Sequence, residues 1–336
     1  MPTIRIATFN CENLFARYRF QSGPPGKSKA GVLPPAELNQ RWGFLPPESW
    51  KQSFQVFSQD GWRKVTARAL KGSDGYPDVV CLQEVENLPV LRRFNQDYLG
   101  HHYPFLKVID SHDPRNIDVG VLSRFPIIRL RSHVDDVAPG GAWNAYVFSR
   151  DCIEVTVDVS GTPLHILVNH LKSKFARTSQ EKRRADERRL AQAGAVAAIV
   201  RDRFGKSSWK SKNLVVVGDF NDQPASPFLQ PLLGMGFENV VSRLPANQRW
   251  THYWGAKSLV SQLVYLLLSP RLADRATALP QIERRGLVKK RNMRVFLATA
   301  DDRRGPEVPL ATQRFPGVTS KIAASDHCPV VMRLKL

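Results

Sequence analysis

The 336-residue chain has few cysteines, no long apolar run and no signal-peptide pattern. Its four cysteines form no CxxC pair, which argues against a zinc ribbon or a thioredoxin-type motif. Each lies in or beside a strand-like stretch, so we expect buried, reduced thiols. The longest apolar runs, at 195–200 and 263–268, are far shorter than the ~20 residues of a membrane-spanning helix. These absences predict a soluble, cytoplasmic protein. The cysteines are Cys11, Cys81, Cys152 and Cys328.

The chain also lacks internal repeats, low-complexity segments and any Gly/Ser linker that would divide it. We therefore predict a single domain over residues 1–336 rather than two domains. A Gly-Pro-Pro-Gly stretch and two Pro-Pro pairs indicate an irregular surface insertion at about 17–60. A second insertion, rich in basic residues, is predicted at about 281–305.

Acidic residues are scarce relative to basic ones, with 30 Asp and Glu against 49 Lys and Arg, a formal net charge of +19. Such a charge attracts polyanions: a nucleic acid, an anionic membrane or a phosphorylated small molecule. Two stretches carry much of the excess. Residues 172–203 contain ten basic and four acidic residues, and residues 281–305 contain eight basic and three acidic residues. The first stretch is equally typical of a solvated helix face.

Strand patterns dominate the secondary structure that the sequence predicts. Thr178 and Glu181 form a capping box that predicts the start of a long helix, and Gly205 predicts its end. A shorter helix is predicted at 62–70. The apolar stripe of the long helix would be Leu190, Ala193, Ala197 and Val200. Many strands with few helices predict an α/β protein in which sheets pack together with helices outside. Strands are predicted at 3–9, 78–84, 119–123, 127–130, 152–159, 163–169, 213–219, 263–268 and 329–334.

Polar residues suited to catalysis lie where the predicted strands end. Loops at one edge of a sheet build functional sites, so these residues can converge. Carboxylate and carbonyl oxygens suit a hard cation such as Mg²⁺, and histidine transfers protons near neutral pH. A divalent cation beside a histidine base is a natural arrangement for hydrolysing a phosphodiester. Singly, each motif is also typical of a turn or a cap. The residues are Asn10, Glu84, His170, Asp219, Asn221, Asp326 and His327.

The order of these motifs resembles the endonuclease/exonuclease/phosphatase superfamily. The matching strings are TFNCENLF, LQEVE, DVGVLSR, NHLKS, GDFND and SDHCPV, between positions 8 and 330. That superfamily includes deoxyribonucleases, exonuclease III-like repair enzymes, inositol polyphosphate 5-phosphatases and neutral sphingomyelinases. The resemblance implies a four-layer α/β/β/α sandwich, with two mixed sheets flanked by helices. It also implies a phosphoesterase that depends on Mg²⁺ or Mn²⁺.

The resemblance assigns metal binding to three residues. Glu84 would be the principal metal carboxylate, with Asn10 beside it and Asp326 near the metal. Asp118 and Arg124 lie in the matching string DVGVLSR. Arg124 would bind substrate, although a structural pairing is an equal alternative for both residues.

The resemblance also assigns the catalytic residues. Asp219 would orient or deprotonate the attacking water, and Asn221 would contact the scissile phosphate or the metal. His327 would lie on the water or phosphate side, so that either Asp219 or His327 could be the base. His170 would donate a hydrogen bond or a proton to the phosphate.

One position departs from the family pattern. The strand that usually reads QLDYLLLS reads QLVYLLLS here, with Val264 in place of the aspartate. In the family that aspartate holds the tautomer of the histidine that corresponds to His327. Losing such a carboxylate costs ~10⁴ in rate in the serine proteases. We therefore expect weakened activity, unless a neighbouring residue or water orients His327.

Three functions follow from the charge and the motifs. Lys172 and Lys174 closely follow His170, which favours contact with substrate phosphates and hence a metal-dependent nuclease. DNA is favoured over RNA as its partner, and the chain is expected to be a monomer. The alternatives are a phosphatase or phosphodiesterase of small or lipid phosphoesters, and an inactive nucleic-acid-binding relative.

Overall fold

The computed structural model describes residues 2–15, 18–22, 29–33, 54–56, 60–138, 145–288, 294–310 and 313–336. The α-helices are α1 (Asp60–Lys71), α2 (Leu88–Leu99), α3 (Ser179–Phe204), α4 (Gln230–Leu233) and α5 (Pro270–Ala273). The strands are β1 (Thr3–Leu14), β2 (Tyr18–Ser22), β3 (Lys29–Leu33), β4 (Phe54–Val56), β5 (Val79–Val85), β6 (Phe105–Val108), β7 (Asp118–Ser123), β8 (Ile127–Arg131), β9 (Ile153–Val159), β10 (Thr162–His170), β11 (Leu214–Asp219), β12 (Glu238–Asn239), β13 (His252–Trp254), β14 (Leu259–Ser261), β15 (Val264–Leu268), β16 (Gln281–Ile282), β17 (Val295–Ala298), β18 (Arg304–Val308) and β19 (Val330–Lys335).

Two six-stranded mixed sheets form the centre of the described structure. The first has the order β16-β19-β1-β5-β7-β6, and the second has the order β12-β15-β11-β10-β9-β8. The β1–β5 pair in the first sheet and the β10–β11 pair in the second are parallel, and the other pairs in these sheets are antiparallel. Both parallel pairs lie in the interior of their sheets, where both faces are covered.

The two sheets pack face to face, and helices cover their outer faces. In β5, Val79 and Cys81 face the core between the sheets, while Val80 and Leu82 pack with the buried residues of α1 and α2. The second sheet packs its outer face against α3 in the same way. Strands buried on both faces read as continuous apolar runs, which explains segments such as DVVCL. The structure confirms the predicted four-layer sandwich of two mixed sheets flanked by helices.

The structure describes parts of both predicted insertions. Most of the insertion predicted at about 17–60 lies outside the described residues, and within it strands β2, β3 and β4 form a small antiparallel sheet. Their aromatic and β-branched residues favour strands despite the surrounding glycines and prolines. The basic segment at 281–305 supplies β16 to the first sheet and β17 to a four-stranded sheet, β13-β14-β17-β18. That segment is therefore part of the sheet framework near the candidate site.

The long helix begins and ends as the sequence predicts. Thr178 is its N-cap and Gly205 its C-cap residue. The predicted stripe is wrong at Leu190, which is 40% exposed, whereas Arg189 is fully buried. Arg189 turns inward because it pairs with Asp222 and with the carbonyl of Lys172, which ties α3 to two loops beside the candidate site.

The cysteines have the buried environment that the sequence predicts. All four cysteines are free and buried, and burial raises the pKa of each thiol. None of the described helices is both long enough and apolar enough to cross a membrane.

Candidate active site

The polar strand-end residues meet at one edge of the two central sheets. Because β1 is parallel to β5, and β10 is parallel to β11, the carboxyl ends of each pair lie side by side. The last strand, β19, is antiparallel to β1, so the loop before it reaches the same edge. The predicted residues that lie together here are Asn10, Glu84, His170, Asp219, Asn221, Asp326 and His327.

Asp219 lies at the centre of this cluster and is almost completely buried. Its Oδ2 accepts a hydrogen bond of 2.9 Å from Asn10 Nδ2, and its Oδ1 accepts one of 2.9 Å from the backbone N–H of Asn221. The same Oδ2 lies 3.7 Å from His170 Nε2 and 3.6 Å from His327 Nε2. One carboxylate therefore stands between the two candidate catalytic histidines.

Glu84 is held next to Asp219 by an unusual backbone conformation. Its φ is +62°, and the ladder to the neighbouring strand changes register between Gln83 and Val85. Non-glycine residues in this region are uncommon and cluster at functional sites. The carboxylate accepts from Asn10 Nδ2 at 3.4 Å and from the backbone N–H of Asn13 at 3.0 Å. The irregular backbone thus turns Glu84 toward the cluster at the strand end.

Gly218 explains how β10 and β11 bring two site residues together. Its φ is +141°, and a Cβ added there would lie 1.8 Å from the carbonyl oxygen of Asn169 on the neighbouring strand. Only glycine permits this close backbone approach. The next pair in the ladder is His170 opposite Asp219. The glycine of the GDFN string therefore allows the backbone approach that places Asp219 opposite His170.

Sequence reasoning missed two residues of the cluster, Glu12 and His252. Glu12 Oε2 accepts a hydrogen bond of 2.9 Å from the backbone N–H of Asp326, and the N–H of Glu12 donates to Asn10 Oδ1. His252 Nε2 lies 3.7 Å from Asp326 Oδ2. Glu12 belongs to the string TFNCENLF and could have been singled out there. No sequence signal marks His252, since it starts a short strand whose pairing depends on the whole fold.

Crowded carboxyl groups shift one another's pKa. Burial raises the pKa of Glu84, and the nearby Asp326 and Asp219 raise it further. Burial also raises the pKa of Glu12, with Asp326 adding to the effect. Burial opposes ionisation of Asp326 as well, but His327 and His252 lower its pKa below its usual value.

The two candidate catalytic histidines have opposite shifts. Burial, reinforced by the positive charge of Arg150, lowers the pKa of His170 well below its usual value. Burial works in the same direction on His327, but Asp219, Asp326 and other carboxylates outweigh it and raise its pKa. A neutral histidine and a readily protonated one therefore flank Asp219, which is the separation of roles that acid–base chemistry needs.

The donor set fits a divalent cation. Glu84, Asp219 and Asp326 place carboxylate oxygens in one cluster, and burial, with Asp326 and Asp219 adding to its effect, raises the pKa of Glu84. Hard divalent cations take such oxygen ligands. The amide nitrogen of Asn10 faces Glu84 and Asp219, and its oxygen is occupied by the N–H of Glu12, so Asn10 bridges the two carboxylates. Metal binding by Asn10 stays a prediction.

Val264 leaves His327 without a visible orienting group. Val264 is completely buried in the core between the sheets and pairs with Asp219 in the β11–β15 ladder. The Nδ1 atom of His327 is buried and has no hydrogen-bond partner among the residues that the structure describes. An acceptor is missing where the family pattern would supply a carboxylate.

The predicted substrate-binding residues fall in different places. Lys174 lines the site and pairs with Asp222 at 2.8 Å. Lys172 is half-buried and is not among the described lining residues; its main chain binds α3. Arg124 does not join the cluster, since it follows the opposite end of β7 and pairs with Asp78 at 2.8 Å. These pairings favour the structural alternative for Arg124.

Asp118 lies close to the cluster in the ladder but faces other partners. It pairs with Val85, the residue after Glu84, and accepts hydrogen bonds from the backbone and hydroxyl of Ser111. Burial raises its pKa to about 7. Its contacts are those of a structural residue beneath the site.

The cluster opens into a cavity of about 650 Å³. Its mouth carries cations and aromatic rings that sequence reasoning did not single out as a set. Arg115 and Lys174 line it, and so do the side chains of Phe175, 74% exposed, and Trp254, 40% exposed. A cavity with acidic and histidine groups at its base and cations at its mouth suits a phosphate-containing substrate.

Several solved structures share the fold of this chain. The chain is similar to sphingomyelinase C from Streptomyces griseocarneus (15% identity, 100% of both chains covered, TM-score 0.51). It is similar to truncated TDP2 from Caenorhabditis elegans (13% identity, 99% of this chain and 98% of that chain, TM-score 0.54). It is also similar to the 3′ phosphatase NExo from Neisseria, solved with a product DNA hairpin (15% identity, 99% and 100% covered, TM-score 0.52). At these identities the similarity shows the fold.

Searched by sequence, the curated proteins contain no significant match to this chain. The model of the Endonuclease/Exonuclease/phosphatase family matches residues 59–327, a stretch that includes most of the cluster described above. Together with the two-sheet fold, this match shows that the chain belongs to the endonuclease/exonuclease/phosphatase family.

Proposed function

We propose that this protein is a divalent-metal-dependent phosphodiesterase that hydrolyses nucleic-acid backbones, with DNA preferred over RNA. The observation that carries the proposal is the position of Asp219 between two histidines, beside Glu84, at the base of a cavity with a cationic mouth. Magnesium or manganese held by Glu84 and Asp326 would polarise the phosphate and lower the pKa of a water molecule.

Three side chains of this protein would orient the water molecule, transfer the proton and bind the phosphate. Asp219 is fixed by Asn10 and by the N–H of Asn221, so it can orient a water molecule without rotating. His327, with its raised pKa, can accept the proton or stabilise negative charge on the phosphate. His170, kept neutral by burial, can donate a hydrogen bond to a phosphate oxygen through its Nε2 atom. Either Asp219 or His327 serves as the base.

Charge supports a polymeric substrate. The formal net charge is +19, and the basic segment 172–203 contributes Lys174 to the cavity, whereas segment 281–305 contributes the acidic Asp302. A charge of this size adds little to recognition of a single small phosphate, but it strengthens binding to a chain of phosphates.

A plasmid-nicking assay with purified full-length protein tests the proposal. Supercoiled DNA should be cleaved in Mg²⁺ and spared in EDTA. Glu84→Gln should lower the rate about a hundredfold or more, because a metal-binding carboxylate contributes several kcal/mol to the transition state. The matched control is Asp97→Asn, an exposed carboxylate of α2, which should cleave at the parental rate. EDTA-insensitive cleavage, or full activity in Glu84→Gln, contradicts the proposal.

A second candidate is hydrolysis of a phospholipid head group. The exposed rings of Phe175 and Trp254 at the cavity mouth favour it, because such rings are suited to an apolar surface as well as to nucleobases. Vesicles of phosphatidylcholine and sphingomyelin, assayed for released phosphocholine, provide the comparison. Head-group release with intact plasmid would replace the nuclease proposal, and a gel shift without cleavage would indicate an inactive nucleic-acid-binding protein.

A further inference from the structure

Two histidines are held side by side at one wall of the cavity. His252 and His327 form an isolated antiparallel bridge. Backbone hydrogen bonds on either side of it fix the pairing, from Tyr253 N to Asp326 O at 2.9 Å and from Cys328 N to Thr251 O at 2.7 Å. The ring centroids are 4.7 Å apart. Main-chain pairing therefore preorganises the two imidazoles whether or not a ligand is present.

Asp326 completes a group of three with these histidines. His252 Nε2 lies 3.7 Å from Asp326 Oδ2, and His327 Nε2 lies 3.7 Å from Asp326 Oδ1. These distances are too long for hydrogen bonds. They are close to the ~3.4 Å that separates two ligands of a tetrahedral zinc ion with bonds of 2.0–2.1 Å. One ligand atom from each residue lies within 4.8 Å of the other two.

Asp326 is the most exposed member of the group. The side chains of His252 and His327 are 15% and 8% exposed, while that of Asp326 is 44% exposed. An ion can therefore enter from the cavity, and one or more water molecules can complete its coordination. Within the described part of the chain, the Nδ1 atoms of both histidines have no hydrogen-bond partner. Metal-binding histidines usually have an acceptor on the second nitrogen and lose 10–100-fold in affinity without it, so we expect micromolar rather than nanomolar binding.

We propose that His252, Asp326 and His327 form a second metal site that binds Zn²⁺ or a similar transition-metal ion. Two imidazoles and one carboxylate select such ions over Mg²⁺, which prefers oxygen ligands. The site shares Asp326 with the oxygen-rich cluster around Glu84, and it differs from that cluster in its two imidazole ligands. One consequence rests on the proposed function. Because zinc bound to His327 keeps that histidine from taking part in the reaction, micromolar zinc inhibits the Mg²⁺-dependent hydrolysis.

The test measures binding, so it does not depend on catalysis. Metal-free full-length protein is titrated with Zn²⁺ against a chromophoric competitor chelator, and Mg²⁺ binding is measured separately by calorimetry. We expect one zinc ion per chain at this site and a tenfold or greater loss of zinc affinity in His252→Phe, which keeps a ring beside His327. Co²⁺ should give visible absorption that His252→Phe abolishes.

Two further variants separate this site from others. Glu84→Gln should weaken Mg²⁺ binding and keep zinc affinity within twofold. His112→Phe is the matched control, because His112 also faces an aspartate, Asp135 at 2.9 Å, but without a second histidine. Its zinc affinity should not change. If His252→Phe fails to melt cooperatively, His252→Gln replaces it.

Unchanged zinc affinity in the His252 variant, or an equal loss in His112→Phe, would overturn the proposal. So would loss of zinc binding in Glu84→Gln, since zinc would then occupy the oxygen-rich cluster. A protein without nuclease activity that still shows the His252-dependent zinc site would contradict the proposed function and support this one.

Discussion

At position 264, orienting His327 would favour a carboxylate, whereas packing in the core between the sheets favours an apolar side chain. The family pattern has at this position the aspartate that orients the histidine, and His327 Nδ1 is buried with no hydrogen-bond partner among the described residues. The same position lies in the core between the sheets, opposite Asp219 in the ladder. A new carboxylate would therefore meet an apolar environment on one side and a like charge on the other.

Val264→Asp is predicted to raise kcat in Mg²⁺ about tenfold or more. Fixing the tautomer of His327 needs to contribute only ~1.4 kcal/mol to the transition state for that gain. Steady-state kinetics on DNA measure it, with Val264→Asn as the uncharged control, and thermal melting shows whether the new carboxylate destabilises the fold. A well-folded Val264→Asp protein with parental turnover would show that this position does not limit the reaction.

Asp118 links stability to pH. Burial raises its pKa from 3.8 to about 7, so the folded state favours the neutral acid. The stabilisation is complete below the unfolded pKa and is lost as pH rises through the folded value. The melting temperature should therefore fall between about pH 4 and 7, and Asp118→Asn should show a smaller fall. Scanning calorimetry at pH 5 and 8 measures the difference, with Asp97→Asn as the exposed control. Equal falls in all three proteins would contradict this assignment.

At the scale of elements, α3 organises the loops that carry several site residues. Thr178 Oγ1 accepts a hydrogen bond of 3.1 Å from the N–H of Glu181, which satisfies one orphan donor at the start of the helix. Further along, the buried Arg189 pairs with Asp222, the residue after Asn221. The helix thus anchors the GDFND loop as well as covering the second sheet.

Thr178→Ala is predicted to lower the free energy of unfolding by about 1 kcal/mol, because it removes the N-cap acceptor. Thr178→Ser keeps that acceptor and should be close to the parental protein. Urea unfolding followed by circular dichroism measures both. Equal losses in the two variants would mean that the methyl group, and not the hydroxyl, stabilises the helix start.

The elements show what the sequence could and could not predict. The strands after which Glu84, His170 and Asp219 lie were predictable, because strands buried on both faces are continuous apolar runs between turn residues. The burial of Arg189 was not predictable. Helical periodicity assigns an arginine to the solvent-facing side, and its partner Asp222 is 33 positions away. His252 was missed for the same reason: its neighbour His327 is brought to it by the fold alone.

At the scale of the whole molecule, the net charge of +19 should govern binding. If the substrate is a nucleic acid, log Kd should depend steeply on log salt concentration. Lys174→Ala should reduce the slope by about one, as expected for one lost phosphate contact. Lys64→Ala, which removes a similarly ion-paired lysine of α1, should keep the parental slope. Fluorescence anisotropy with a labelled oligonucleotide measures both. A binding constant that does not change with salt would exclude nucleic acid as the substrate.

The hydrogen bonds that close the candidate site also constrain how the chain folds. Asn10 binds Asp219 across 209 positions of sequence, and Glu12 binds the N–H of Asp326 across 314. Contacts of this separation form late, because the entropy of closing such long loops is lost before they stabilise anything. Helices and hairpins can therefore form during synthesis while the catalytic cluster does not yet exist. The cluster is completed only when β19 has paired with β1, so the candidate site stays incomplete until β19 is in place.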